Sequence, residues 1–413
     1  MENKYIYESV LILLIVGCSS AQPTSFPPTF ISGGESTLPA FTETPEIQVS
    51  QTSAPLIEVE VNLPVCFDET RGEISLASIT KGSLVNRGSY SPILLEIQSN
   101  KAYKIPLTSE NSYTSPDESV SPNRDLLATI EIAGNELWQF ERAYLHIFNA
   151  RGEMVERIVF EIPGLHKIRW LDNENILLYI ANTSRDGTVL LINPFTKKQN
   201  YITNVLPDFF DESDIFFPGL KSLIEYSPNL EWGVYLKRDT SGAIATPFPG
   251  GPNIGHAVYD FSADKTIWIP KHPTDFSEEP KWSPDGNKVV IEANNQFTIV
   301  TREGILQPIL DETETNYIQF PEWSPDGHYI AFWNGIKFMI YDTQENTLHN
   351  LCINTHADFR TPIFVWSPDN HYIFIGADSE TNSILIDIEE DKIYNVSTNP
   401  IFYYPVGWMN SVP

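Results

Sequence analysis

Eight histidines and a large excess of carboxylates are the side chains with which this chain could hold a cation or move a proton. His272 stands in "KHPTDF" with Asp275 three residues on, and His356 stands in "THADFR" with Asp358 two residues on and Arg360 beyond. Imidazole and carboxylate at such spacing are ordinary ligands for a divalent cation. They are equally an ordinary means for a loop to tie its side chains to its own backbone. His328 and His371 recur at one place in two similar segments, just after a turn, and Asn287 takes that place in a third. A position that recurs belongs to a scaffold, so no metal site is assigned and no cofactor is expected.

The three cysteines suggest other chemistry. Cys18 ends the run "VLILLIVGC", whose apolar part has the length of a signal-peptide core and is short for a membrane span. The segment Ile15-Val16-Gly17-Cys18 resembles a bacterial lipobox, which implies diacylglycerol on Cys18 and removal of residues 1–17 as a lipoprotein signal peptide. Residues 18–56 are rich in Ser, Thr and Pro and bury too little apolar surface to offset their ordering entropy, so they read as a disordered tether. Cys66 and Cys352 could close a disulfide in an oxidising compartment, or remain two buried thiols. The formal charge of −28 argues against nucleic acid as a partner, because phosphate binding needs clustered Lys and Arg.

The elements that must position these groups come from a repeat. "KWSPDG", "EWSPDG" and "VWSPDN" place Ser283, Ser324 and Ser367 at steps of 41 and 43 residues. Weaker copies put Ser121 in "VSPNRD", Trp170 in "RWLDNEN" and Ser227 in "YSPNLEW", and Trp408 follows Trp366 by 42. Each unit reads as four short strands, the content of one β-propeller blade. Pro fixes φ, the Ser and Asp side chains bond to nearby amides, and Gly or Asn takes a left-handed conformation. Trp282, Asp285, Gly286, Trp323, Asp326, Gly327, Trp366 and Asp369 are therefore assigned to turns and inter-blade packing. Residues 81–107 supply three strand-like segments and "FYYPVGW" a fourth, so the chain ends are expected to share a blade and close the ring. The expectation is an all-β propeller over 57–413 with seven blades. Six or eight blades are the alternatives, and eight would follow if residues 57–76 formed more than an added strand.

These W-S-P-D-G units resemble the repeats of the TolB-type propellers, a WD-repeat-like family of exported bacterial proteins, over about residues 75–413. The resemblance implies a propeller and an envelope location. Related propellers also accompany prolyl-oligopeptidase-type peptidases, but their G-x-S-x-G nucleophile elbow is absent here. The chain also departs from TolB itself in having only the tether, and no α/β domain, before the repeats.

Loops are the remaining place for binding. Arg185, His272, Trp333, His356, Asp358 and Arg360 are candidates for one loop face, together with the Gly- and Pro-rich insertion 242–257. The expected function is a non-enzymatic propeller tethered to the membrane by a lipid anchor, exported to the extracytoplasmic side, and binding an envelope protein or glycan. An envelope hydrolase or lyase using acidic or His residues at the propeller face or channel is the competing reading.

Overall fold

The computed structural model describes residues 57–60, 73–87, 91–105, 112–136, 139–160, 165–180, 188–202, 224–238, 253–268, 280–293, 296–309, 319–333, 338–350, 363–376, 383–390, 392–396 and 404–411. All of them fall in the second of two compact units, Val49–Pro413.

The strands form seven antiparallel four-stranded blades arranged in a ring, and six of them run in chain order from the innermost strand outward. Blade 1 is Ser112–Val120, Leu126–Glu136, Gln139–Asn149 and Met154–Phe160. Blade 2 is Leu165–Trp170, Ile176–Ile180, Thr188–Ile192 and Gln199–Tyr201. Blade 3 is Glu225–Tyr226, Trp232–Arg238, Asn253–Asp260 and Lys265–Trp268. Blade 4 is Lys281–Trp282, Lys288–Ala293, Gln296–Thr301 and Leu306–Pro308. Blade 5 is Gln319–Trp323, Tyr329–Trp333, Phe338–Asp342 and Thr347–Asn350. Blade 6 is Phe364–Trp366, Tyr372–Ile375, Ser383–Asp387 and Lys392–Val396.

Blade 7 departs from chain order. It takes its innermost strand, Pro405–Met409, from one end of the sequence, and Ser83–Asn86, Ile93–Glu96 and Lys101–Lys104 from the other. Leu84 pairs with Trp408 and Val85 with Gly407, which joins the ring. Gly407 is required by packing: a Cβ there would lie 2.3 Å from Val120 Cγ2 of blade 1.

Two short strands lie outside this plan. Ile57–Glu60 runs parallel to the outer strand of blade 5, and Glu73–Ile74 runs parallel to that of blade 6. Residues 57–74 thus cap two blades from outside and build no eighth.

The core follows from strand alternation. Side chains of the middle strands point by turns toward one neighbouring blade and the other. In blade 5, Ala331, Trp333, Phe338 and Ile340 pack on blade 6, while Ile330, Phe332, Met339 and Tyr341 pack on blade 4. Every joint of the ring has its own apolar cluster, including blade 6 against 7 and blade 7 against 1. The turn and joint residues explain why the motif recurs. Ser283 Oγ donates to Asp285 Oδ1 at 2.6 Å and accepts from the Lys288 amide at 2.9 Å. Ser324 with Asp326 and Ser367 with Asp369 repeat this geometry, and Gly286, Gly327 and Asn370 hold φ of 71°, 73° and 66°.

Candidate functional site

Antiparallel connectivity gives the ring two unlike ends. At one end, tight turns join first to second strands and third to fourth. At the other, connections join second to third strands and each outer strand to the next blade.

The turn end is chemically self-satisfied. Besides the Ser-Pro-Asp-Gly turns, an Asp or Asn closes the third strand of blade after blade. Asp342 Oδ1 accepts from the Gln344 and Glu345 amides at 2.8 Å, Asp260 from Ser262 and Ala263, and Asn193 from Phe195 and Thr196. His328 Nε2 lies 3.1 Å from Asp342 Oδ1 and its ring stacks on Tyr329, while His371 Nε2 lies 3.1 Å from Glu389. The Asp342 carboxylate that faces His328 is thus held in the turn network, whereas Glu389 is an exposed partner of His371. Burial opposes ionisation of Asp285, but hydrogen bonds from Ser283 and the Asn287 amide outweigh it and hold the carboxyl below its ordinary range.

One position recurs on the innermost strand of every blade, before the motif aromatic in blades 2 to 7 and before Val120 in blade 1. From blade 1 to blade 7 these residues are Ser119, Arg169, Glu225, Lys281, Glu322, Val365 and Gly407. Four of them form an arc of alternating charge. Arg169 Nη1 lies 3.3 Å from Glu225 Oε2, Lys167 also bonds Glu225, and Lys281 Nζ lies 2.9 Å from Glu322 Oε1. Arg124, in the left-handed turn position of blade 1, is held below its ordinary value by burial, which the attraction of the Glu322 carboxylate only partly offsets. Burial alone would raise the Glu225 pKa, yet Lys167 and Arg169 outweigh it, so the carboxyl is held below the ordinary range. It is an ionised partner and no proton donor near neutral pH.

The same position carries a second role that the sequence did not disclose. The backbone carbonyls of Ser119, Glu225, Lys281 and Glu322 accept the indole N–H of Trp170, Trp282, Trp323 and Trp366 in the following blade, at 3.0, 3.2, 3.0 and 3.2 Å. The motif Trp is thus a packing plate and also a directed donor across the joint.

One buried polar pair also escaped the sequence reading. His146 Nε2 and Glu131 Oε2 lie 2.7 Å apart on the middle strands of blade 1, both fully enclosed. His146 is flanked by Tyr144 and Phe148 on its own strand, and Phe148 belongs to the cluster shared with blade 7. Burial outweighs the hydrogen bond to the Glu131 carboxylate and holds the imidazole below its ordinary value. No periodic signal marks this pair, because a single His on a strand looks the same whether or not a carboxylate stands beside it.

Of the candidate loop residues, Arg185, His272, His356, Asp358 and Arg360 lie outside the described residues, as do Cys18, Cys66 and Cys352. The strands flanking the first five end at the loop end of the ring. Trp333 is placed differently from the expectation of a loop contact. It is the last residue of its strand, 3% exposed, and alternation turns it into the joint with blade 6, where Phe364 and Trp366 lie in the same core. The insertion is also shorter than the sequence suggested: Asn253–Ala257 belong to the third strand of blade 3, which leaves 239–252 as the connection. Among the described residues no three His, Cys, Asp or Glu side chains come together as a metal site, and no helix is long and apolar enough to cross a membrane.

No family model matches the sequence, and no curated protein matches it. Solved structures do. TolB from Acinetobacter baumannii is similar at 13% identity over 79% of this chain and 81% of that one, with a TM-score of 0.42. An uncharacterized protein from Listeria monocytogenes EGD-e is similar at 12% identity over 84% of this chain and 98% of that one, with a TM-score of 0.47.

Proposed function

We propose that this chain is a non-enzymatic, exported propeller, lipid-anchored through Cys18, that binds a protein or glycan of the bacterial envelope at its loop end. The observation that carries the reading is the contrast between the two ends. Turn-end polar groups are largely engaged by their own backbone and by neighbouring turns. At the other end open the longer connections, 203–223, 239–252, 269–279, 310–318 and 351–362, above a ring held by seven cores. Arg185, His272, His356, Asp358 and Arg360 lie in connections of that end. The axial carboxylates Glu225 and Glu322 are neutralised by Lys and Arg, an arrangement suited to holding blades together and ill suited to acid–base turnover. The lipobox and the tether support the anchor.

The test is a crosslinking pull-down from native membranes with the anchored protein, beside variants Arg185→Ala, His272→Ala, His356→Ala and Arg360→Ala. Loss of a captured partner in the loop variants, with folding intact, supports the reading. An unchanged capture profile across all of them defeats the loop-end assignment, and turnover of a glycan or peptide substrate defeats the non-enzymatic one. Radiolabelled lipid incorporation that survives Cys18→Ala would remove the anchor.

A further inference from the structure

The rim of the ring is unevenly covered. Ile57–Glu60 and Glu73–Ile74 lie along the outer strands of blades 5 and 6, whereas no described strand lies along that of blade 1. That strand, Met154–Phe160, has seven residues against three to five in the outer strands of the other blades. Eight large apolar side chains are exposed among the described residues, and six of them stand on the outer hairpins of three consecutive blades. They are Tyr103 of blade 7, Met154, Val155 and Val159 of blade 1, and Phe195 and Tyr201 of blade 2. The three hairpins adjoin: a Cβ on Gly152 would lie 3.6 Å from Tyr103 Cβ, and Lys197 Nζ lies 3.6 Å from Glu156 Oε1. An apolar patch gathered on one side of a rim marks a docking surface.

Charge and backbone define what fits there. Residues 96–104, 149–160 and 193–201 of these hairpins hold six Lys and Arg against three Glu, in a chain of net charge −28. The matching hairpins of blades 5 and 6, 342–350 and 387–396, hold six Asp and Glu against one Lys. The Arg157 guanidinium lies 4.3 Å over the Tyr144 ring, and no carboxylate among the described residues pairs with it. Ile147 pairs with Glu156 and Phe148 with Met154, so Val155 is the extra residue of a bulge and Glu156–Phe160 is the regular edge. The Arg157 amide belongs to the set that points out of the sheet, for it donates to Glu156 Oε1 at 3.0 Å, and the Val159 amide follows by alternation.

We propose that Glu156–Phe160 is a docking edge for an extended segment of a partner protein, which adds a fifth strand to blade 1 and sets a carboxylate beside Arg157 and an apolar side chain beside Val159. Blades 5 and 6 show that outer strands of this ring accept such a strand. Backbone pairing supplies the affinity, and the two side-chain matches supply the selectivity. A second copy is the poorer occupant. Two-fold pairing of the edge with itself sets Arg157 opposite Arg157 or opposite Val159 and brings it no carboxylate. A lipid surface offers charge but no strand. The edge lies on the rim, so it stands whether or not the loop end binds.

The experiment titrates the purified full chain with fluorescein-labelled Thr-Val-Thr-Glu-Thr-Val-Thr and with the same peptide carrying Lys at its centre, read by anisotropy. The Glu peptide should bind about fivefold or more tighter than the Lys peptide, and Arg157→Glu should invert that order. Val159→Pro removes an outward amide and should abolish binding of both, with near-ultraviolet circular dichroism unchanged. Should that variant unfold, the charge inversion carries the test. Hydrogen exchange at 157 and 159 should slow when the Glu peptide is added, with no change at the loop end. Equal affinity for the two peptides, or an order that Arg157→Glu leaves unchanged, overturns the assignment. So does protection of both amides in the free chain, because the edge is then already taken by the chain itself or by a second copy. Binding to phosphatidylglycerol vesicles that Arg157→Glu abolishes, without binding of either peptide, overturns the added strand in favour of a lipid surface.

Discussion

At the scale of single residues, the positions with the clearest sequence signal carry the fold, and their roles can be separated by substitution. Trp323→Phe keeps the aromatic plate and removes the Nε1 bond to the Lys281 carbonyl, so it should cost about 1–2 kcal/mol in urea unfolding. Trp323→Ala should cost about 3–5 kcal/mol, because a cavity opens as well. The two turn glycines should also differ. Both hold positive φ, but a Cβ at Gly286 would stand 3.0 Å from Pro228 of the neighbouring blade, against 3.4 Å to Pro284 at Gly327. Each alanine should cost about 1 kcal/mol for its conformation, and Gly286→Ala should be the more damaging of the two.

Glu225 supplies the pH test. Its folded pKa lies below the ordinary 4.5, so its contribution is complete above that value and is lost as pH falls through the folded value. Glu225→Gln should lower stability by about 3 kcal/mol near neutral pH and flatten the acid limb of the stability curve. Equal acid limbs in wild type and variant would refute this assignment.

Among elements, what could be read beforehand depended on how local the cause was. The Ser-Pro-Asp-Gly turn is complete within six residues, so its spacing disclosed blade after blade. Trp333 shows the limit. Its place beside a short connection suggested a loop contact, but which way a strand's last side chain points is set by the register with Gln319 and Phe338. The capping strands Ile57–Glu60 and Glu73–Ile74 were foreseen only as an added strand, since parallel pairing with Thr347–Asn350 and Lys392–Val396 leaves no turn between partners to read. The Asp342-type cap at the end of the third strand was legible in principle, for "YDTQEN", "YDFSAD" and "INPFTK" repeat an Asp or Asn before a polar turn. The Glu131–His146 pair was not, because its partners belong to separate strands with no shared spacing. The capping segment and the closing strand should also respond differently to removal. Deleting residues 1–74 should leave a cooperatively unfolding ring, because each blade retains its four strands. Deleting 404–413 should abolish cooperative unfolding, measured by near-ultraviolet circular dichroism, because it strips the innermost strand from blade 7.

At the scale of the molecule, stability is distributed over seven similar joints, and the charged arc from Arg169 to Glu322 links blades 2 to 5 along one side of the axis. The opposite side, Val365 and Gly407, offers no charge there. The joint between the two chain ends has a consequence in time. Leu84 cannot meet Trp408 until more than three hundred further residues have been made, so nothing earlier in synthesis can finish the circle. Until then the three early strands of blade 7 lack their innermost partner and their joint with blade 6. The face that carries Leu84, Leu95 and Ile97 stays wet, a period in which a chaperone or a stray sheet edge competes for it. A nascent chain halted anywhere before residue 405 should therefore remain protease-sensitive along its whole length, however many blades it has already spun.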